Sequence, residues 1–508
     1  MVRAILVFIA TCVLGLGLAP ERASAQKPRV LILVVDGLRP DYVTADIMPR
    51  LNALAEGGVR GLAHHAVFPT VTRVNGPTIL TGRYPGGHGI LGNVVYLPDV
   101  DPSRVLNTGD AEDLWVIDRA TGGRLLTAPS LGELLAERGL TLFAASSGGS
   151  GSGALMNHRG AGAGLVHNAF TIPESLGPVV AEVLGPLPTI APGTPSVPLV
   201  ARAVDAVLRI GLDRADADVV AAWLTEPDGT AHRTGIGSPE TLDVLAGVDR
   251  EIGRLLDGLR DRGLLATTNI LVTSDHGFAR RIGVQSISAL LVSAGLKESD
   301  ASQDVVVAGG AIHVREGGEA RTRAIVELLQ RTDWVGPVFV PAASPGSDEG
   351  IYPGTVAFSA IGWSHDRAAD VLVSPTWSNA VNDHGYAGAV LSPGSPGHGS
   401  SSPWDIRATF VASGPRIKRS VASDVPSGNI DIVPTALSLM GAVVPTDLDG
   451  RVLSELFMDG PDPASVEVAM DPIVVAAELD GLRYELTVNR SRVGTTMYLD
   501  GTAVQRRR

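Results

Sequence analysis

The chain lacks three features that would place it in other classes of protein. Its only cysteine, Cys12, lies near the N-terminus, which excludes a fold held together by disulfide bonds. After the apolar run Ala4–Ala19, itself short for a membrane span, no stretch is long and apolar enough to cross a bilayer. Basic residues are in deficit, and the formal net charge of −13 excludes the basic surface that general nucleic-acid binding needs.

The first 25 residues are typical of an export signal. Arg3 supplies a positive start, Ala4–Ala19 is the apolar core, and Ala23-Ser24-Ala25 forms a small-residue cleavage site. We therefore expect an exported protein, periplasmic or extracellular. An exported chain without disulfides must depend on its hydrophobic core, and 508 residues of which 44% are hydrophobic can form a large one.

Strand and helix patterns alternate along the chain. Helices are predicted from Pro49, from Ser130 with a capping box to Glu133, and from Ser238. Apolar runs predict strands at Val30–Val35, Leu140–Ala145, Val219–Thr225, Asn269–Ser274 and Thr409–Ala412. This order predicts an α/β fold whose sheet is mostly parallel and covered by helices on both faces.

Two stretches interrupt this alternation, at about residues 94–127 and 280–400. The second is rich in glycine, serine and proline, and we expect it to form a smaller cap inserted beside the sheet. From about Val475 the pattern alternates with a period of two, which predicts a β-hairpin. The predicted organisation is therefore a signal peptide at 1–25, a main domain at 26–470 that contains the cap, and a hairpin extension at 471–508.

Carboxylate and imidazole side chains follow three of the predicted strands. They are Asp36 after the first strand, Asp228 and His232 after Val219–Thr225, and Asp275 and His276 at the end of Asn269–Ser274. The carboxyl ends of strands are where an open α/β sheet gathers its active site. Singly, an Asp-Gly pair is usually a turn and a histidine is usually part of the surface or core. Jointly, oxygen and nitrogen donors at successive strand ends predict a catalytic zinc site.

A nucleophile is available in the segment 68–78. Gly76-Pro77 predicts a short helix, Pro77–Leu80, with the preceding loop at its positive N-terminus, where anions bind. A threonine hydroxyl that touches Zn²⁺ in this loop loses its proton easily and can attack phosphorus. Thr70 and Thr72 are also suited to a plain capping role.

Longer motifs occur in a definite order. They are Asp36-Gly37, Pro69-Thr70-Val71-Thr72-Arg73-Val74-Asn75, Thr81-Gly82 with His88-Gly89-Ile90 and Asn93, Pro227-Asp228 with His232, Ser274-Asp275-His276-Gly277, and Gly397-His398-Gly399-Ser400. Over residues ~29–455 the chain resembles the alkaline phosphatase superfamily and, within it, the type I phosphodiesterase/nucleotide pyrophosphatase family. The resemblance implies an alkaline-phosphatase-like catalytic domain.

The same resemblance implies roles for individual residues. Thr72 is the nucleophile, which forms a phosphothreonine intermediate, and Asn93 hydrogen-bonds a phosphoryl oxygen. Two Zn²⁺ ions are implied, although the sequence does not distinguish them from Mn²⁺. Asp228, His232 and His398 would hold one ion. Asp36, Asp275 and His276 would hold the other, with Thr72 in contact with it.

The chain departs from the family pattern near the nucleophile. Arg73 stands where an aromatic residue is usual, and Gly76 stands where a histidine is usual. The third imidazole has a second candidate, His384, in Asp383-His384-Gly385-Tyr386, although the spacing to Gly414-Pro415 favours His398. No role is assigned to the remaining histidines of the first hundred residues, which are His64, His65 and His88.

The expected substrate is a small phosphodiester or nucleotide pyrophosphate, not a nucleic-acid polymer. Threonine-dependent monoesterases that resemble this chain carry a Lys-x-Arg element where this sequence has the cation-free stretch 146–153. One neutral donor, Asn93, suits the single charge of a diester. The alternatives are a phosphomonoesterase, if Arg73 or Arg159 reaches the site, a phosphonoacetate-type hydrolase, and an inactive metal-binding protein.

Overall fold

A nine-stranded sheet forms the centre of the computed structural model, which describes residues 27–508. The predicted signal at 1–25, with Cys12, lies outside the described residues. Across the sheet, the strands follow the order Val421–Ser423, Val59–Gly61, Phe410–Ser413, Thr268–Thr273, Arg29–Val35, Val219–Leu224, Leu142–Ser146, Gly164–His167 and Thr171–Ile172. All five predicted strands are present within two residues of their predicted bounds.

The middle of the sheet is parallel. Arg29–Val35 pairs in parallel with Thr268–Thr273 on one side and with Val219–Leu224 on the other. Antiparallel pairs occur toward the edges, as where Phe410–Ser413 joins Thr268–Thr273. The predicted α/β class with a mostly parallel sheet is confirmed, and the three strands that precede the candidate site residues are neighbours.

Helices cover both faces because successive side chains of a strand point to opposite sides. In Arg29–Val35, Leu31 packs into one hydrophobic cluster and Ile32 into the other. The first cluster is completed by the helices Pro49–Gly57, Gly177–Leu184, Val197–Ala206 and Pro239–Asp261. The second is completed by Thr72–Thr81, Leu131–Ala136, Ser150–Met156 and Ile432–Leu439. Among the helices of residues 27–508, none has the length and apolar character needed to cross a membrane.

The segment predicted as a cap contains two smaller sheets. A five-stranded sheet has the order Val305–Ala308, Ala311–Val314, Val371–Pro375, Val335–Val340 and Val356–Ala357, and the helices Ile287–Ser293 and Gly318–Arg331 pack on it. A three-stranded sheet contains Arg280–Arg281, Ala387–Val390 and Trp377–Val381. In the sequence, the cap segment lies between two strands of the central sheet, Thr268–Thr273 and Phe410–Ser413, as an insertion would. The division into domains stays a prediction.

The C-terminal tail forms long antiparallel strands. Leu482–Val493 pairs with Thr496–Arg507, as the predicted hairpin requires. The other edge of Leu482–Val493 pairs with two further strands, Ile473–Leu479 and Ala469–Met470. Tyr484 and Leu486 pack in one hydrophobic cluster with Phe339 and Val356. The tail and the five-stranded sheet therefore share a core.

The helix that carries the threonines begins earlier than the sequence suggested. It spans Thr72–Thr81, with Pro77 in its interior, so the predicted start at Pro77 is wrong. A proline disfavours helical geometry in the preceding residue because its ring meets that residue's Cβ, and Gly76 has none. Thr72 is consequently the first residue of the helix, not part of a loop before it. Further helices span Pro85–His88, Ala111–Ala120, Asp228–Thr234 and Pro403–Ile406.

Candidate active site

The candidate site lies at the carboxyl ends of three adjacent parallel strands. Asp36 directly follows Arg29–Val35, and Asp275 follows Thr268–Thr273 after one residue. Asp228 begins the helix Asp228–Thr234, which follows Val219–Leu224. Because the strands run in the same direction, their ends meet at one edge, and the three carboxylates share that edge.

Three side chains form a first cluster around Asp228. Its Oδ1 atom lies 3.2 Å from Nε2 of His232 and 3.4 Å from Nε2 of His398, and the two nitrogens are 3.3 Å apart. Asp228 and His232 occupy one helix with a spacing of four residues, which places them on the same face. The sequence-predicted group Asp228, His232 and His398 is thus brought together.

A second cluster is centred on Nε2 of His276. This atom lies 3.0 Å from Oδ2 of Asp275, 3.6 Å from Oδ1 of Asp36 and 3.2 Å from Oγ1 of Thr72. The rings of His276 and His398 are stacked at 3.4 Å between centroids, which joins the two clusters. All seven residues predicted to hold metal therefore occupy one site.

Each of the three imidazoles is oriented through its other nitrogen. Nδ1 of His232 donates to the Pro396 carbonyl at 2.7 Å, and Nδ1 of His398 donates to the Thr70 carbonyl at 2.9 Å. His276 donates in the same way to Gly277 at 2.9 Å. In a neutral ring, the proton is then on Nδ1 and Nε2 carries a free lone pair. This is the arrangement in which histidine binds a metal.

The carboxylates also present unsatisfied atoms to the site. Oδ1 of Asp36, Oδ1 of Asp228 and Oδ2 of Asp275 are buried, and no residue of 27–508 donates a hydrogen bond to any of them. Lone pairs of oxygen and nitrogen this close repel one another unless a proton or a cation lies between them. The ligand atoms in two groups, Asp36, Asp275 and His276, and Asp228, His276 and His398, lie within 4.8 Å of one another. The donor set therefore fits metal ions such as Zn²⁺ or Mn²⁺.

The charges in the site perturb the carboxyl groups strongly. Burial, followed by the nearby carboxylates of Asp275 and Asp228, raises the pKa of Asp36 well above its usual value. Burial also opposes ionisation of Asp228, but the imidazoles of His232 and His398 hold the pKa of that carboxyl well below its usual value. Asp36 is thus the carboxylate that most needs a positive charge beside it.

The imidazoles respond to the same surroundings. Burial, and next the charge of His276, lowers the pKa of His398 to about 4, so this ring is neutral at pH 7. Burial also disfavours the charged form of His276, but Asp275 outweighs it and raises the pKa of that ring. A metal ion bound at Nε2 of His276 would compete with this proton, so its binding there would depend on pH.

Thr72 and Asn93 both lie at the start of the helix Thr72–Thr81. Thr72 is 2% exposed and points its hydroxyl toward His276. The backbone N–H of Arg73 donates to Oδ1 of Asn93 at 3.1 Å, which leaves the amide hydrogens of Asn93 to donate elsewhere. The hydroxyl of Thr72 and the amide of Asn93 therefore share the N-terminus of one helix, where anions bind.

Several supporting residues were missed from the sequence. Trp223 donates its indole N–H to Oδ2 of Asp36 at 2.9 Å, and Asn429 donates its amide to the carbonyl of Asp275 at 3.0 Å. Gly37 donates its backbone N–H to Oδ1 of Asp275 at 3.0 Å. Gly37 has a φ of +69°, and a Cβ at this position would lie 3.1 Å from Cβ of Asp228. Only the Asp36-Gly37 turn carried a signal, because glycine tolerates both this conformation and this contact.

The other candidates lie away from the clusters. His384 is exposed in a hairpin turn, where its backbone N–H donates to Oδ1 of Asn382, and it belongs to neither cluster. Arg159 is paired with Asp118 and with the carbonyl of Gly123. His398, not His384, is therefore the third imidazole that the structure places beside Asp228.

The remaining histidines have structural surroundings. His64 is buried and lies 3.1 Å from Oγ1 of Thr273 and 3.3 Å from Oδ1 of Asn429, behind Asp275. His65 contacts Asp500, and His88 contacts Thr78. These contacts account for all three rings without a ligand.

A cavity of about 330 Å³ opens beside the clusters. Its lining includes Asn93 and, from the stretch predicted as the cap, His398 and Ser286. Its apolar lining includes Phe68, Leu91 and Trp334. A cavity of this size and character is suited to an organic group attached to phosphorus.

Residues 30–401 match the family described as type I phosphodiesterase/nucleotide pyrophosphatase. A venom phosphodiesterase of Macrovipera lebetinus is 30% identical over 256 residues, which are 50% of this chain and 26% of that protein. The bis(5'-adenosyl)-triphosphatase of Xenopus laevis is 26% identical over 262 residues, 51% of this chain and 49% of that one. The chain thus spans about a quarter to a half of the length of these relatives.

The fold is similar to that of a solved structure, the murine ectonucleotide pyrophosphatase/phosphodiesterase 5 as an inactive threonine-to-alanine variant in complex with AMP. The TM-score is 0.56 at 18% identity, and the match covers 82% of this chain and 96% of that one. This similarity supports the alkaline-phosphatase-like α/β architecture.

Proposed function

The chain belongs to the type I phosphodiesterase/nucleotide pyrophosphatase family, and we propose that it is an exported, metal-dependent hydrolase with Thr72 as its nucleophile. Its substrates are small phosphodiesters or nucleotide pyrophosphates. The observation that carries the proposal is the 3.2 Å approach of Thr72 Oγ1 to His276, at the meeting point of two carboxylate–imidazole clusters. Export follows from the signal-like segment 1–25.

The two clusters would hold two metal ions. Asp228, His232 and His398 would hold one, and Asp36, Asp275 and His276 would hold the other, beside Thr72. Zn²⁺, or alternatively Mn²⁺, supplies Lewis-acid charge to the hydroxyl and to the phosphoryl group when bound there. The unpartnered carboxylate oxygens and the three oriented Nε2 atoms support this assignment.

Thr72 and Asn93 have different roles at the phosphorus atom. The Thr72 oxygen bonds to phosphorus while the bond to the leaving oxygen breaks, and the leaving group takes the electron pair and finally the hydroxyl proton. Asn93 donates its amide to a non-bridging oxygen, because its Oδ1 is already occupied by the Arg73 N–H. Water then hydrolyses the phosphothreonine, which restores the threonine hydroxyl.

The surroundings of the site favour a substrate that carries an organic group on phosphorus. The apolar cavity next to Asn93 and His398 can receive one such group. The names of the relatives, a phosphodiesterase and a bis(5'-adenosyl)-triphosphatase, and the AMP in the murine structure agree with nucleotide-like substrates. A neutral donor at Asn93 matches the single charge of a diester.

The test is an assay of the purified protein on bis-p-nitrophenyl phosphate and p-nitrophenyl phosphate, with and without added Zn²⁺. We expect turnover that requires metal and prefers the diester. Thr72→Ala should lower kcat by about 10³-fold or more while the bound metal, measured by mass spectrometry, is retained. Thr72→Ser, which keeps a hydroxyl, should retain measurable turnover. If the wild-type protein hydrolyses neither substrate, the proposal is refuted.

A further inference from the structure

Arg73, the residue after the proposed nucleophile, has a guanidinium group without a partner among residues 27–508. Its Nε atom is buried, and within residues 27–508 nothing accepts a hydrogen bond from it. Its backbone N–H donates to Oδ1 of Asn93, whereas no carboxylate of residues 27–508 forms an ion pair with its side chain. Arg451, which is also partly buried, is by contrast paired with Glu455. A half-buried cation left unpaired beside a reaction centre is suited to an anionic ligand.

Two glycines make room for this guanidinium. A Cβ on Gly109 would lie 2.8 Å from Nη2 of Arg73, and a Cβ on Gly149 would lie 3.2 Å from it. The neighbouring Gly148 has no side chain either, and a Cβ there would lie 3.3 Å from Cδ1 of Trp223, whose indole binds Asp36. The side chain therefore extends along the Asp36 side of the site, whereas the apolar cavity lies on the side of Asn93 and His398.

We propose that the Arg73 guanidinium binds an anionic phosphoryl oxygen that a simple diester, with its single negative charge, does not have. The inference rests on the proposed function and narrows its substrate class. The extra oxygen belongs either to the scissile phosphoryl group itself, as in a monoester, or to the adjoining phosphoryl group of a pyrophosphate. Arginine suits both because its N–H groups form charge-assisted hydrogen bonds with phosphate oxygens.

Three substrates separate these cases. Bis-p-nitrophenyl phosphate has one charge, p-nitrophenyl phosphate adds a charge on the same phosphorus, and ATP adds charges on the next. With Arg73→Gln, we expect kcat/KM to fall about 10- to 100-fold more for one of the two polyanionic substrates than for the diester. If kcat/KM falls for ATP alone, Arg73 contacts the adjoining phosphoryl group. If kcat/KM falls for the monoester, Arg73 contacts the scissile phosphoryl group.

Controls separate charge from structure. Arg73→Lys keeps the positive charge and should restore part of the lost discrimination. Arg159→Gln removes a cation that is already paired with Asp118, away from the clusters, and should leave the ratios unchanged. Bound metal and thermal unfolding of Arg73→Gln should match the wild-type protein. An equal change on all three substrates overturns the inference but leaves the proposed function intact. Inactivity of the wild-type protein on all three overturns the proposed function itself.

Discussion

The indole nitrogen of Trp223 donates a hydrogen bond to Oδ2 of Asp36 across 2.9 Å, and Oδ1 of the same carboxylate is left facing His276. Trp223 lies opposite Val34 in the adjacent parallel strand, so the register of the sheet fixes this contact. The indole therefore decides which oxygen of Asp36 is available to a metal ion. Such outer partners orient ligands and tune their affinity.

Trp223→Phe should weaken metal binding without unfolding the protein. Phenylalanine keeps the buried ring but removes the N–H donor, so Asp36 can rotate, and we expect about a 10- to 100-fold lower affinity for Zn²⁺. Isothermal titration of the metal-depleted protein measures this. Trp363→Phe is a matched control, because that buried indole donates to the Leu91 carbonyl instead. Equal affinities of Trp223→Phe and the wild-type protein would contradict the orienting role.

His398→Ala should reduce bound metal from two ions per chain to one. His398 contributes Nε2 at 3.4 Å from Asp228 Oδ1, whereas His384 lies exposed in a hairpin turn. His384→Ala should therefore keep both ions and full activity. Metal content by mass spectrometry after dialysis distinguishes the two variants. A loss of metal in His384→Ala alone would reverse the assignment of the third imidazole.

The sheet and the ligand positions could be predicted because both depend on short-range patterns. Val30–Val35 is a long apolar run that ends at Asp36, and such runs predict buried strands and their ends. Asp228 and His232 are four residues apart, which predicts a shared helix face before any tertiary contact is known. The edge on which these groups meet follows from parallel strand order alone.

The parts that escaped prediction depend on contacts between distant segments. Asn429 supports Asp275 from 154 residues away, and an isolated asparagine carries no pattern. The five-stranded sheet of the cap shares a core with the tail, through Phe339 and Tyr484, and no local pattern in either segment indicates this long-range packing. The start of the Thr72–Thr81 helix was missed because a proline is typical of the first turn of a helix, so Pro77 is the expected start. The helix begins five residues before it, at Thr72.

Chelation of metal should lower the stability of the protein as well as its activity. Three buried carboxylates at one strand edge repel one another, and burial raises the pKa of Asp36 accordingly. Binding of an ion to the folded state alone adds about 4 kcal/mol to the free energy of unfolding at a free concentration of 1,000 times Kd. We expect the melting temperature to fall in EDTA and to recover with Zn²⁺ or Mn²⁺. An unchanged melting temperature in EDTA would contradict a metal site.

His88 should make the protein sensitive to acid. The ring is fully buried, its Nδ1 accepts from the Ile90 N–H at 3.2 Å, and its Nε2 lies 3.1 Å from the Thr78 hydroxyl, which donates to the Val74 carbonyl. This network fits the neutral ring. Burial, and next the charge of His365, lowers the pKa of His88 to about 3, against an unfolded value near 6.5.

The sign of the effect follows from proton uptake. Between pH 6.5 and 3 the unfolded state binds the proton and the folded state does not, so the stability that the neutral ring contributes is complete above pH 6.5 and is lost on acidification. The loss is about 1.4 kcal/mol per pH unit. His88→Asn, which cannot bind this proton, should be less stable at pH 7.5 but should lose less stability between pH 6 and 5. Urea unfolding at several pH values measures both slopes, and identical slopes would show that His88 is not the group that titrates.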